Sequence, residues 1–285
     1  MSDRAAPQRR GGIAVSPSRA SFAPLLYAGM LDEAVGDAVQ LGFECLELSM
    51  RDPGSIDGAA VAAQLDDAGL RCSAIATGQA CLADGLCLSA TDETVRAAAI
   101  ERFGDQVALA HELDASVILG GVRGTLDTRQ DGSAARRRAA VDAIRECVQA
   151  AGERGVTVLV EPINRYETDF VNRCEEGLEL LDEVGGDGVK LLLDTFHMNI
   201  EERDLPDAIA LAGDRLGYVH MVDSNRHAPG LGHVDFDGVL AALAQIDYRG
   251  PFVAEILPYP SDREAAAAAA AFFADRLTRD ATAVG

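Results

Sequence analysis

The feature that most constrains the fold is a repeated alternation of short apolar runs and amphipathic segments along most of the chain. The apolar runs predict eight strands, at residues 12–16, 43–48, 70–76, 116–119, 158–161, 189–194, 216–220 and 252–255. Segments with a helical spacing of apolar residues predict helices at residues 31–41, 56–68, 92–113, 133–154, 172–184, 205–211, 236–245 and 262–277. Because the runs do not alternate apolar with polar residues, we expect a parallel sheet that is covered on both faces.

Eight strand-helix units favour one closed (β/α)8 barrel, the TIM barrel, over an open sheet. No GxGxxG motif follows the first run, which argues against a dinucleotide-binding sheet. The length of 285 residues suits a single barrel domain. We therefore expect a disordered polar tail at residues 1–11, one barrel domain at residues 12–285, and a longer loop at residues 80–90.

Four consecutive predicted strands end in a side chain that can bind a hard cation. Glu161, Asp194, His220 and Glu255 end the fifth to the eighth strand, about one strand-helix repeat apart. In a (β/α)8 barrel the carboxyl ends of the strands surround the active site, so these side chains should lie on adjacent strands of one rim. A buried carboxylate costs several kcal/mol unless a cation meets it. Three carboxylates and one imidazole suit Mn²⁺, Mg²⁺ or Co²⁺ better than a structural zinc site, so the sequence predicts one divalent metal site.

Further polar residues follow the same strand ends. Glu167, His197 and Arg226 could bind substrate hydroxyl groups or an oxyanion, although His197 and Arg226 could instead pair with acidic neighbours. Arg123 lies in a glycine-flanked loop just after the fourth strand. Its guanidinium could bind a substrate carboxylate through two hydrogen bonds, and the alternative is a loop arginine that pairs with a surface acid.

Several segments resemble the ketose 3-epimerase branch of the xylose-isomerase-like barrels, which includes D-tagatose and D-psicose 3-epimerases. The longer segments are residues 161–168, residues 194–202, and His220 together with residues 223–226. Shorter segments at residues 76–80, 82–86 and 122–124 are most similar to 5-keto-L-gluconate epimerase, which acts on a keto sugar acid. The resemblance covers nearly the whole chain after residue 12.

The resemblance implies that the chain is an isomerase, a carbohydrate epimerase that depends on a divalent metal, commonly Mn²⁺. It implies metal ligands at Glu161, Asp194, His220 and Glu255, an acid/base pair at Glu161 and Glu255, and substrate contacts at Glu167, His197 and Arg226. Members of this branch are often dimers or tetramers, so a homodimer or homotetramer is expected. The expected substrate is a small ketose or keto sugar acid.

The residue types suit inversion of the carbon next to a ketone. Removing the proton from that carbon leaves a cis-enediolate, whose negative charge a metal can stabilise by several kcal/mol. Two carboxyl groups on opposite faces, Glu161 and Glu255, can remove a proton from one face and deliver one to the other. A neutral-ketose 3-epimerase, an aldose–ketose isomerase and an inosose dehydratase remain alternatives, because all begin from a similar state. The intact pair of carboxyl groups argues against a non-catalytic sugar-binding barrel.

Charge and composition exclude other classes of function. The formal net charge of −21 disfavours nucleic acid as a partner. It also argues against a DNA hydrolase of the endonuclease IV type, which needs a basic surface. Such an enzyme also needs more metal ligands, mainly histidines, and this chain has five histidines. No apolar run is long enough to cross a membrane. The six cysteines form no CxxC pair, so we expect reduced core thiols in a cytoplasmic protein.

Overall fold

Eight parallel strands form a closed barrel in sequence order in the computed structural model, which describes residues 11–20, 24–129 and 132–277. The strands are β1 (Gly12–Val15), β2 (Cys45–Ser49), β3 (Arg71–Ala76), β4 (Ser116–Leu119), β5 (Val158–Val160), β6 (Val189–Asp194), β7 (Leu216–His220) and β8 (Phe252–Ala254). Each strand pairs with its sequence neighbours, and β1 closes the barrel against β8. The predicted (β/α)8 barrel is therefore confirmed.

The helices surround the barrel and agree with the predicted ones to within a few residues. They are α1 (Leu31–Leu41), α2 (Gly58–Ala68), α3 (Gly78–Asp84), α4 (Glu93–Glu112), α5 (Ser133–Glu153), α6 (Cys174–Val184), α7 (Thr195–Glu201), α8 (Leu205–Ala212), α9 (Phe236–Gln245) and α10 (Asp262–Arg276). Two of these helices, α3 and α7, were not predicted. The prediction of an irregular loop over residues 80–90 is wrong in its first half, because α3 extends to Asp84.

The barrel interior is a packed core and not a channel. One small cluster contains a side chain from every strand, namely Ala14, Cys45, Ala74, Ala76, Ile118, Leu159, Leu192, Tyr218 and Val253, together with Leu25 from the first loop. A second, larger cluster fills the space between the strands and the outer helices. Because the interior cluster fills the barrel, the space for ligands lies above it, at the carboxyl ends of the strands.

The structure also bears on the ends of the chain and on its cysteines. Of the predicted tail at residues 1–11, only Gly11 lies within the described residues, where it is buried and its carbonyl accepts a hydrogen bond from the Glu44 amide. Four cysteines are buried free thiols, as predicted: Cys45, Cys72, Cys147 and Cys174. The prediction is wrong for Cys81 and Cys87, which form a disulfide because the last turn of α3 brings their Cα atoms to 4.8 Å. None of the helices described here is long and apolar enough to cross a membrane.

Candidate active site

The side chains that end the last four strands converge at one point of the barrel mouth. Nδ1 of His220 lies 3.5 Å from Oδ2 of Asp194 and 3.8 Å from Oε1 of Glu161. Glu255 belongs to the same cluster, since its carboxylate and the ligand atoms of Asp194 and His220 all lie within 4.8 Å of one another. All four side chains sit at or just beyond the carboxyl ends of β5 to β8, where the sequence predicted them.

The geometry and chemistry of this cluster fit a divalent cation. Two ligand atoms that are each about 2.1 Å from one ion lie roughly 3–4 Å apart, as the ligand atoms of His220 do from those of Asp194 and Glu161. Asp194 Oδ2 and His220 Nδ1 are buried and have no hydrogen-bond partner in the described part of the chain. Buried polar atoms without partners are rare, so this pair indicates a positive group between them. Three carboxylates and one imidazole nitrogen are ligands that Mn²⁺ and Mg²⁺ accept.

His220 is held from the side opposite the cluster by a residue that the sequence analysis missed. Its Nε2 lies 2.8 Å from Oε2 of Glu47, a buried residue of β2. A carboxylate oxygen accepts hydrogen bonds, so Nε2 carries a proton and Nδ1 faces Asp194 and Glu161. Burial opposes the charged form of His220, but Glu47 and Asp194 outweigh burial and raise its pKa well above the ordinary value. The surroundings of Nδ1 therefore favour a positive partner, whether a proton or a metal ion.

His197 presents a proton to the site instead of a lone pair. Its Nδ1 lies 2.8 Å from the side-chain amide nitrogen of Asn164, whose own carbonyl oxygen accepts from the Tyr166 amide. Because Nδ1 accepts a hydrogen bond from Asn164, the proton of the neutral ring is on Nε2, which lies 3.8 Å from Oε1 of Glu161. Burial lowers the pKa of His197, although Asp194 partly opposes this. His197 lies close enough to Glu161 and Asp194 to be a metal ligand, but this tautomer suits a hydrogen-bond donor.

Arg226 links the carboxyl groups on two sides of the mouth. Its Nη1 donates to Oε1 of Glu167 and its Nη2 donates to Oε2 of Glu255, both at 3.1 Å. The guanidinium also lies over the ring of Phe196, 4.7 Å from the centroid. The backbone of Arg226 has a φ of 61°, a strained conformation for a residue other than glycine. Arg226 thus pairs with acidic neighbours, as one interpretation of the sequence predicted, and these pairs fix its guanidinium at the mouth.

The two candidate acid/base groups both have environments that favour the protonated form in the absence of a metal ion. Burial raises the pKa of Glu161 well above its ordinary value, His220 lowers it in part, and Glu255 and Asp194 raise it further. Burial likewise raises the pKa of Glu255 to about 7, against the lowering effect of Arg226 and His220. Asp194 differs, because His197 and His220 overcome the effect of burial and lower its pKa. A cation at the centre would counter the repulsion among these carboxyl groups.

The structure contradicts the prediction that Arg123 binds a substrate carboxylate. The residue is only 1 % exposed, and every hydrogen bond that the structure gives its guanidinium goes to a backbone carbonyl. The acceptors are Leu119, Gly120, Glu161, Phe170 and Val171. The alternative of a surface ion pair is also wrong. Arg123 lies behind Glu161 and joins the ends of β4 and β5 to the loop that follows β5.

The role of Arg123 can be tested by replacing it with methionine. We expect Arg123→Met to lower the free energy of unfolding by about 3 kcal/mol or more, because several buried carbonyls would lose their donor at once. Denaturant unfolding would measure the change. The matched control is Arg138→Met on the exposed face of α5, where the effect should stay within about 0.5 kcal/mol. Equal stability of the two variants would contradict this account of Arg123.

Comparisons with known proteins agree with the fold and show the family of this chain. Residues 35–276 match the family model described as "Xylose isomerase-like TIM barrel". An L-ribulose 3-epimerase of Methylomonas sp. (strain DH-1) is 36 % identical over 225 residues, which are 78 % of this chain and 77 % of that protein. A ketose 3-epimerase of Arthrobacter globiformis is 33 % identical over 240 residues, which are 81 % of each chain.

Solved structures of ketose 3-epimerases have the same barrel fold as this chain. A D-allulose 3-epimerase from Methylomonas sp. superposes with a TM-score of 0.80 at 29 % identity, covering 96 % of this chain and 100 % of that one. A structure of L-ribulose 3-epimerase gives a TM-score of 0.81 at 28 % identity, covering 96 % and 95 %. The Methylomonas enzyme has also been solved in complex with D-allulose.

Proposed function

We propose that this chain, which belongs to the xylose isomerase-like TIM barrel family, is a ketose 3-epimerase that depends on a divalent metal ion. Similar proteins are named as 3-epimerases of L-ribulose, D-psicose and other ketoses. The observation that carries the proposal is the convergence of Glu161, Asp194, His220 and Glu255, with two buried ligand atoms that have no other partner in the described chain. That arrangement is the expected one for an enzyme that stabilises negative charge on a sugar.

The substrate we propose is a neutral ketose such as L-ribulose or D-psicose. Some short segments resemble 5-keto-L-gluconate epimerase, but Arg123, the cation predicted to bind a sugar acid, is buried behind the site. Arg226 is already paired with Glu167 and Glu255. A substrate carboxylate would therefore have to compete with Glu167 and Glu255 for Arg226, and a keto sugar acid would add a further negative charge to an acidic site.

The carboxyl groups of Glu161 and Glu255 serve as the acid/base pair in this proposal. They follow β5 and β8, with β6 and β7 between them, so a ketose bound over the intervening strands would have one carboxyl group on each side. One group removes the proton from C3 and the other delivers a proton to the opposite face, which inverts the centre. A divalent cation on the four ligands would stabilise the negative charge that develops on the neighbouring oxygens. The epimer that is bound decides which group acts as the base.

Three further side chains would orient the sugar. His197 offers its Nε2 proton as a donor to a substrate oxygen, and Asn164 keeps that tautomer in place. Glu167 and Arg226 form a charged pair at the mouth that can exchange hydrogen bonds with hydroxyl groups. A reacting group held in a fixed orientation can contribute several kcal/mol to rate acceleration.

Deuterium exchange tests both the reaction class and the position of the proton transfer. In ²H₂O with Mn²⁺, we expect deuterium at C3 of L-ribulose, D-psicose or D-tagatose together with the 3-epimer as the product. Deuterium at C1 instead would indicate an aldose–ketose isomerase. Keto sugar acids are tested in the same way. Exchange only with the keto sugar acids would contradict the proposed substrate, and no exchange with any of these compounds would contradict the proposed epimerase activity.

The identity of the metal, the assembly and the cellular location are additional proposals. Mn²⁺ is favoured over Mg²⁺ because one ligand is an imidazole nitrogen, which Mn²⁺ accepts more readily. A homodimer or homotetramer is proposed from the resemblance. Four buried free thiols support the proposed cytoplasmic location, whereas the Cys81–Cys87 disulfide argues against a reducing compartment. The net charge of −21 argues against nucleic acid as a partner.

A further inference from the structure

Glu47 is a buried carboxylate in the interior of the barrel, below the proposed metal ligands. Its side chain is 0 % exposed, and Oε2 lies 2.8 Å from Nε2 of His220. The other oxygen, Oε1, is buried and has no hydrogen-bond partner in the described residues. Burying a carboxylate in this way costs several kcal/mol, whereas an apolar residue would bury no charge at this position. Packing alone therefore does not explain Glu47.

The regular alternation of β2 places Glu47 on the inner face of the barrel, and the irregularity lies opposite it, at Ser73 of β3. The pairing of β2 with β3 shifts register between Leu46 and Glu47. Leu46 and Leu48 pack in the outer core between strands and helices, while Cys45 belongs to the interior cluster. Such register shifts are common beside active sites. Glu47 itself contacts Nε2 of His220, on the side of the ring away from the ligand cluster.

We infer that Glu47 is a positioning residue for the proposed metal site, which sets the tautomer and the orientation of His220. This inference depends on the metal dependence proposed above. By accepting a hydrogen bond from Nε2–H, Glu47 keeps that proton on Nε2 and leaves the lone pair of Nδ1 directed at Asp194 and Glu161. A carboxylate on the far nitrogen of a ligand histidine also makes the coordinating nitrogen more basic. His220 is thus held between a carboxylate behind it and the ligand cluster in front.

Neighbouring residues restrict the ring further and supply a control. The ring of Tyr218 packs edge-on against His220, with the centroids 5.5 Å apart. The Tyr218 hydroxyl lies 2.7 Å from Oγ of Ser73, which also donates to the Leu46 carbonyl. Ser73 is buried in the same part of the barrel as Glu47, and no hydrogen bond joins it to His220 in the described structure. Ser73→Ala therefore removes buried hydrogen bonds, including the one to Tyr218, and keeps the direct contact between Glu47 and His220.

The test is the affinity of the protein for Mn²⁺, measured from the electron paramagnetic resonance signal of the free ion in a titration. We expect Glu47→Gln to weaken Mn²⁺ binding by about 10- to 100-fold, the usual effect of losing such a partner. Glu47→Leu should weaken it at least as much, because it removes the hydrogen bond as well as the charge. Ser73→Ala should weaken Mn²⁺ binding much less than Glu47→Gln, because the contact between Glu47 and His220 remains. Thermal unfolding of the metal-free proteins reports folding separately from binding.

The outcomes separate this inference from the proposed function. A wild-type dissociation constant for Mn²⁺ in both Glu47→Gln, which loses the charge, and Glu47→Leu, which also loses the acceptor, would overturn the positioning role and leave the metal site intact. Equal weakening in Glu47→Gln and Ser73→Ala, with equal losses in the melting temperature of the metal-free proteins, would show a general effect of packing and would also overturn it. Failure of the wild type to bind Mn²⁺ would refute the metal dependence itself. If Glu47→Leu does not fold, the nearly isosteric Glu47→Gln decides the question.

Discussion

Glu255→Gln is expected to lower kcat for ketose epimerisation by about 10²- to 10⁴-fold, the usual contribution of a general acid or base. Glutamine keeps the size of the side chain and an oxygen that can accept from Arg226, so the fold and that contact should survive. It cannot take up or release the proton that inversion requires. Steady-state kinetics in the presence of saturating Mn²⁺ would measure the loss.

A control and a finer readout accompany this variant. Glu101→Gln changes an exposed carboxylate on α4 and should leave kcat unchanged. Exchange of solvent deuterium into each epimer separately should show that Glu255→Gln loses proton removal from one epimer more severely than from the other, because the two carboxyl groups serve opposite faces. Wild-type turnover in Glu255→Gln would contradict a catalytic role for Glu255.

Removal of the metal is expected to have an effect of similar size. Dialysis against a chelator should lower turnover by at least about 10²-fold, because the negative charge of the intermediate would lose several kcal/mol of stabilisation. Added Mn²⁺ should restore the activity. The ion should also raise the melting temperature by several degrees, since a ligand at 100 times its dissociation constant stabilises the folded state by about 2.7 kcal/mol.

The Asp194→Asn variant provides the matched control for metal removal. It replaces one oxygen ligand by a neutral amide of the same size, so Mn²⁺ should bind it weakly and should hardly change its melting temperature. Asp194 also accepts a hydrogen bond from the Phe196 amide at the start of α7, and the side-chain oxygen of asparagine can accept the same bond. Full activity of the wild type after exhaustive chelation would contradict a role for the metal in the reaction.

The sequence was sufficient to predict the barrel and the four residues that end its last strands. Eight apolar runs without alternation are compatible with few folds. A charged residue at the end of such a run is costly to bury in any fold, so it indicates a functional partner. The two missed helices are short, and α7 begins directly after Asp194, whose carboxylate both caps the helix and faces the cluster. A residue with two such roles gives no separate sequence signal for the helix.

The roles of Arg123 and Glu47 depended on the direction in which each side chain points. Position on the rim suggested that Arg123 faces the ligand, but the surrounding turn directs it inwards to five backbone carbonyls. Glu47 lies within the strand at residues 43–48, and its partner His220 is far away in sequence. A glutamate inside an apolar strand was the available signal. It indicates a buried partner without identifying it.

The most direct test of the central claim is anomalous diffraction at the Mn absorption edge from crystals grown with Mn²⁺. We expect a single strong peak at the barrel mouth, about 2.0–2.3 Å from oxygens of Glu161, Asp194 and Glu255 and from Nδ1 of His220. A peak elsewhere, or coordination that excludes Glu161 or Glu255, would contradict the claim that these four side chains share one cation.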